Sequence, residues 1–402
     1  MKHFNILTAL ITVCFVLLTG CQKEMKPDSM LSQNMLNSDN KTSVNPSAKK
    51  LAEFKEKMAK LKESLPADFQ KKLQENRKFI QKTDPQYREM VLRALKVEVA
   101  CDDNTVLFQW LGQQLADWDA DLFDYVFNQF DAIDLPFFYS VIYENSSANQ
   151  SFGINGEYTR VLTKTFKDLK RFWNIQTDDI VMVPMHGSML RDREKLIKTY
   201  MNAFVGIDQE LAERLADGVL ALLAGYPQLR NGDHPIFTFN SASIPLLDFP
   251  GIGLLPPKIV MGDGIMQAFT AIGFGDVAPQ AILAHEYGHQ IQFQMGVNTD
   301  ELTAEASRET ELMADAYSAY YLSHARGAGM QWKRVKQFLQ VFFNIGDCQT
   351  TTPGHHGTPN QRMASAEWAY NLANDAQKQG FILSSQEFTA LFEAALPQIL
   401  NH

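Results

Sequence analysis

Residues 276–296 read DVAPQAILAHEYGHQIQFQMG. Asp276 suits an N-cap, Pro279 suits the first turn, and Gly296 stands just past the last apolar residue, so the sequence predicts a helix over Val277–Met295. Inside it, His285 and His289 are four residues apart. On a helix that spacing puts both imidazoles on one face, about one turn apart, where they can point at a single metal ion. Glu286 falls on the adjoining flank, outside the ligand set. Zinc suits such a pair, because it takes imidazole nitrogen in tetrahedral geometry and has no geometric demand of its own.

Two histidines do not complete a catalytic metal site, which needs a third protein ligand and an open fourth position for water. The segment Arg308-Glu309-Thr310-Glu311-Leu312-Met313-Ala314-Asp315-Ala316 supplies candidates. Glu311 and Asp315 again stand at i and i+4, so one helix face carries two carboxylates. We assign Glu311 as the metal ligand. Asp315 is assigned as the acceptor that takes Nδ1–H from a ligand histidine and sets its tautomer. Glu305 and Glu309 are the rivals for the ligand role, and both read more simply as solvated charges.

These groups define a chemistry. One zinc ion per chain lowers the pKa of its bound water toward about 7. Glu286 then serves as the general base and passes the proton to a leaving amine. An extra donor is needed for the oxyanion. Tyr287, His324, His355 and His356 are available by residue type, and spacing alone does not choose among them.

The combination of HEYGH with Glu311-x-x-Ala-Asp315 resembles the gluzincin-type zinc peptidases. Within them it is similar to the HExxH and ExxAD group that holds the HtpX-like and CaaX-processing proteases and the bacterial neutral zinc metallopeptidases. In that group a histidine followed six residues later by an arginine lies beyond the third ligand, and His356-Gly-Thr-Pro-Asn-Gln-Arg362 fits it. The resemblance implies that His356 faces the oxyanion and that Arg362 supports the site. It also implies a short edge strand before the HExxH helix, where an extended peptide pairs by its backbone; Lys258, Ile259, Val260 and Met261 form the matching segment. The likeness is concentrated in residues 258–372. Several membrane helices of the embedded relatives have no counterpart here, so the soluble lipoprotein type is the nearer analogue.

The fold class expected is mainly α (α+β): a helical zincin-like domain with a small edge-strand sheet, preceded by a helical N-terminal region. Residues 49–149 are assigned to that region, 150–375 to the metallopeptidase domain, and 376–402 to a C-terminal helical tail. Helical spacing runs through Ala48–Lys82 and Tyr87–Val99. Closely spaced aromatics from Val106 to Ile142 read as buried helices, core in preference to a ligand site. Tyr158–Trp173 reads as a helix, and two more run from Leu190 to Leu223 with a break near Gly206. Asp179–Met185 fits a strand or a loop. The Pro- and Gly-rich stretch from Gly225 to Pro257 reads as irregular.

The start of the chain bears on compartment. Lys2 and His3 precede an apolar run from Phe4 to Leu18, which reads as a secretion signal over residues 1–20. Leu18-Thr19-Gly20-Cys21 resembles a bacterial lipobox, which implies lipidation at Cys21 and anchoring at the cell envelope, with polar residues 21–48 as a tether. The formal net charge is -9, which argues against a nucleic-acid partner. With Cys14 in the signal and Cys21 carrying lipid, Cys101 and Cys348 remain for either one disulfide or two buried thiols. The expected partners are a peptide or protein substrate and the membrane. An alternative from another class is a non-catalytic zinc-binding envelope lipoprotein that uses a peptidase-like scaffold to bind a partner. A third is a partner-binding role for the aromatic N-terminal half. His186 and His234 read as ordinary loop histidines.

Overall fold

The computed structural model describes residues 46–74, 105–204, 206–297, 303–346 and 355–402. The signal, Cys21, residues 22–45, the Tyr87–Val99 segment, Cys101 and Cys348 lie outside the described residues. From Pro46 onward the chain forms one compact unit, mainly helical, with a three-stranded sheet and a two-stranded hairpin. No described helix is long and apolar enough to cross a membrane.

The helices follow the apolar spacing. α1 (Pro46–Ser64) lies against α7 (Gln209–Gly225). Their contact is close because Gly225 has no side chain: a Cβ there would stand 3.1 Å from that of Phe54. The aromatic stretch forms α2 (Val106–Gln114), α3 (Ala120–Asp124) and α4 (Leu135–Tyr143), the last buried over Leu135–Ile142. In α5 (Thr159–Phe172), Leu162, Phe166, Leu169 and Phe172 recur at three- and four-residue intervals and are buried. Each such side chain contributes about 1.5–3 kcal/mol by leaving water. α6 (Arg193–Ala203) and α7 are separate helices broken near Gly206. Asp192 and Asp208 cap them by accepting from backbone N–H groups of their first turns.

The sheet takes β1 (Val181–Met185), β2 (Ser241–Ile244) and β5 (Lys258–Gly262) in the order β1-β5-β2. β1 runs parallel to β5, and β2 antiparallel. β3 (Leu247–Phe249) and β4 (Gly253–Leu255) form the hairpin. The stretch before Pro257 is therefore not wholly irregular, since it contains three strands of three or four residues. Runs that short, set among Pro and Gly, carry no readable alternation.

This topology corrects the expected edge strand. Lys258, Ile259, Val260 and Met261 form the centre of the sheet, with backbone partners on both sides and all four side chains buried. Burial of consecutive side chains, three of them apolar, is what a strand covered on both faces requires. Lys258 is a structural residue. Its Nζ donates to the carbonyls of Val141 (2.5 Å) and Glu144 (2.9 Å) and to Asn145 Oδ1 (2.6 Å), which satisfies acceptors at the C-terminal end of α4. The edge is β2. Gly262 N–H donates to the Asn240 carbonyl, and antiparallel bonding alternates. Ala242 and Ile244 therefore bond toward β5, whereas the backbone groups of Ser241 and Ser243 point away from it.

After β5 come α8 (Asp263–Ala271), α9 (Ala278–Met295), α10 (Ala304–Ser323), α11 (Trp332–Ile345), α12 (Pro359–Gln379) and α13 (Ser385–Ile399). α10 packs between α9 and α12. α13 is fastened to the same core, with Phe388 stacked on Tyr317 at 4.6 Å.

Candidate metal centre

α9 carries the two histidines and begins one residue later than its sequence suggests. Its N-cap is Val277, not Asp276, and Pro279 sits in the first turn. The N–H groups of Val277 and Ala278 donate to the Phe274 carbonyl. Gly296 closes the helix with φ 68°, the left-handed region that glycine enters without strain. The glycine of HEYGH has a packing reason. A Cβ on Gly288 would lie 3.1 Å from Ala314 Cα and 3.2 Å from Tyr317 Cβ, so its absence lets α9 and α10 approach closely.

That approach brings three donors together. His285 Nε2 and His289 Nε2 are 3.1 Å apart, and each lies 3.3 Å from a Glu311 carboxylate oxygen, Oε2 and Oε1 respectively. Bonds of about 2.0–2.1 Å at tetrahedral angles place donor atoms about 3.3 Å from one another. The two imidazoles meet different oxygens of the one carboxylate, each at a separation close to that between zinc ligands, and the group could hold a metal ion. His285 is buried, and the side chains of His289 and Glu311 retain 15% exposure at the cleft. Glu305, by contrast, is exposed, and neither it nor Glu309 belongs to the group.

A second layer orients the donors. Asp315 Oδ1 stands 2.9 Å from His285 Nδ1. Arg362 is buried and grips Asp315 bidentately, Nε to Oδ2 and Nη2 to Oδ1, each at 2.7 Å. Its Nη2 also lies 3.6 Å from Glu311 Oε2. His289 has its own partner, which sequence reasoning missed: Gln292 Oε1 lies 2.8 Å from His289 Nδ1, and Gln292 Nε2 donates to the Thr310 carbonyl at 2.7 Å. The only available signal was that Gln292 stands three residues beyond His289, the spacing of a neighbour on the same face.

Electrostatics agree with the geometry. Burial pushes His285 toward neutrality, but the hydrogen-bonded carboxylates of Asp315 and Glu311 overcome it and raise the imidazole to about 10 in the metal-free protein. Burial likewise pushes Glu311 up, yet the imidazoles of His356, His289 and His285 hold it well below the usual carboxylate range. A metal ion held here would bind His285 as the neutral imidazole, so its entry would displace a proton.

The remaining candidates separate by position. His356 Nε2 lies 3.6 Å from Glu311 Oε2 and lines the cleft. The segment after it starts α12. Gly357 adopts φ 95°, and Thr358 and Gln361 exchange side-chain and backbone hydrogen bonds in a capping box, with Pro359 at the first helical position. This start aims Arg362 at Asp315. Tyr287 is buried against Phe166, and His324 Nε2 pairs with the Phe381 carbonyl. Neither lines the cleft, and nor does His355.

The cleft has both polar and apolar lining. It is lined by Asn240 and by Ser241, Ala242 and Ser243 of β2, and by the apolar side chains of Ile265, Phe269, Ile282, Phe342 and Ile345. Glu286 opens into it beside the donors. The chain is thus a mainly helical protein with a His-His-Glu group able to hold a metal ion; compared with known proteins, it matches no family model, no curated protein and no solved structure.

Proposed function

We propose that the protein is a zinc-dependent endopeptidase of the bacterial cell envelope, of the gluzincin type that its motifs resemble, held at a membrane through Cys21. The observation that carries this reading is the convergence of His285, His289 and Glu311, with both imidazole Nε2 atoms 3.3 Å from the Glu311 carboxylate and Glu286 beside them in an open cleft. Three protein donors leave a fourth position for water, the arrangement of a catalytic zinc site and not of a closed structural one.

Zinc held there supplies a water of lowered pKa and a Lewis acid for the scissile carbonyl. The chain's own groups do the rest. Glu286 takes the proton of the attacking water and delivers it to the leaving amine. His356, whose Nε2 lies 3.6 Å from Glu311 Oε2, supplies a donor to the developing oxyanion. Asp315 holds the His285 tautomer, and Arg362 holds Asp315. An extended peptide pairs with the outward backbone groups of Ser241 and Ser243. One of its apolar side chains enters the wall of Ile265, Phe269, Ile282, Phe342 and Ile345.

Glu286→Gln tests the reading. The variant should retain about one zinc per chain by elemental analysis and lose roughly 10²–10⁴-fold in peptide hydrolysis. Unchanged turnover would remove Glu286 from the mechanism, and a well-folded wild type without metal would remove the zinc.

A further inference from the structure

Gln292 lies on α9 one turn beyond His289 and is 2% exposed. Its carboxamide spans the two ligand-bearing helices, from His289 Nδ1 on α9 to the backbone carbonyl of Thr310 on α10, the residue before Glu311. The partners at the two ends are chemically unequal. A peptide carbonyl can only accept, so the NH2 end of the amide must face Thr310. The planar carboxamide then turns its oxygen to His289, and that oxygen also can only accept. His289 must therefore carry its hydrogen on Nδ1, which leaves the Nε2 lone pair directed at His285 Nε2 and Glu311 Oε1, 3.1 and 3.3 Å away.

We propose that Gln292 is a positioning residue of the metal centre: it selects the His289 tautomer that binds metal and ties the ring to the helix that supplies the third ligand. The inference rests on the metal reading of His285, His289 and Glu311. The two ligand histidines are then oriented by different means. His285 is set by a charged carboxylate backed by Arg362, and His289 by a neutral amide whose direction is dictated by a main-chain carbonyl. A neutral acceptor there adds no further negative charge to a site that already holds Glu286, Glu311 and Asp315.

The test uses the full chain, with Gln292→Met to remove the acceptor at similar volume and Gln292→Glu to keep it. Affinity for zinc alone is measured by competition with a chromophoric chelator. The His289 tautomer is read by ¹⁵N NMR on the metal-free chain at alkaline pH. Gln292→Met should weaken zinc binding by about 10–100-fold, and Gln292→Glu, which keeps the acceptor for His289 but loses the donor to the Thr310 carbonyl, should recover part of that loss. The ring should carry hydrogen on Nδ1 in the wild type and in Gln292→Glu. Zinc affinity unchanged in Gln292→Met would overturn the proposal, as would equal weakening in both variants, because packing and not the acceptor would then be responsible. A wild-type His289 protonated on Nε2 would also overturn it, and that measurement stands even if Gln292→Met does not fold. A wild type with the Nδ1–H tautomer and no zinc affinity would overturn the metal role while separating that failure from the geometry of the ring.

Discussion

Arg362 and Asp315 meet through two hydrogen bonds of 2.7 Å in the interior, both side chains essentially without solvent exposure. The same carboxylate accepts from His285 Nδ1. A single acidic group thereby links α12, α10 and α9, and the orientation of one metal donor depends on a contact between two residues that never face the cleft water together.

Removing the arginine should therefore cost both stability and metal. Arg362→Met leaves Asp315 buried beside His285 with half of its charge partners gone, and breaking one side of a buried pair costs about 3–5 kcal/mol. Urea unfolding of the metal-free chain should show a loss of that size. A loss below about 1 kcal/mol, the scale of an exposed pair, would mean that water reaches Asp315 and that the pair is not a dry one.

The edge of the sheet should govern peptide binding. Ser241→Pro removes an outward backbone N–H at the first residue of β2, a position where proline is tolerated in a strand. One lost hydrogen bond is worth about 0.5–1.5 kcal/mol. Peptide kcat/KM should fall by about 2–12-fold, the same energy converted at 1.4 kcal/mol per decade, with zinc content unchanged. Equal kcat/KM in the two proteins would place the substrate backbone elsewhere than along β2.

Lys258 should leave a signature in the pH dependence of stability. Burial holds its ammonium down at about 8, against an ordinary value of 10.5. Between those limits the unfolded chain binds more protons than the folded one, so Lys258 makes stability rise with pH across that window. Below about 8 both states are protonated, and the cost of burying the charge is carried in full. Comparing urea unfolding of the wild type with Lys258→Met isolates this contribution from the buried tyrosines, which act oppositely at higher pH. The wild type should gain on the variant from about pH 8 upward; a flat difference would mean that the ammonium is solvated.

Much of the candidate site was legible because its residues sit at helical spacing. His285 with His289, and Glu311 with Asp315, are i and i+4 pairs, and periodicity places such pairs on one face whatever the rest of the chain does. The helix that carries the histidines announced both of its ends, with only Asp276 misread as the cap. The strands were harder. β2, β3 and β4 span three or four residues each in a Pro- and Gly-rich stretch, too short for alternation to register. Assigning Lys258–Met261 to an edge failed because strand order is a matter of which distant segments pair, and an apolar run reads alike at the centre and at the rim of a sheet.

By itself the sequence determined the mainly helical class, the donor types and their placement along two helices, since each depends on spacing within one turn or two. Only the tertiary structure decided that β2 is a sheet edge lining the cleft, that His356, singled out in the sequence only through a family resemblance, reaches that cleft, and that Gln292 ties His289 to the Thr310 carbonyl on α10. These are relations between segments far apart in the chain. They arise where close packing of α9 against α10, permitted by the missing side chain of Gly288, brings groups within hydrogen-bond reach that no local pattern connects.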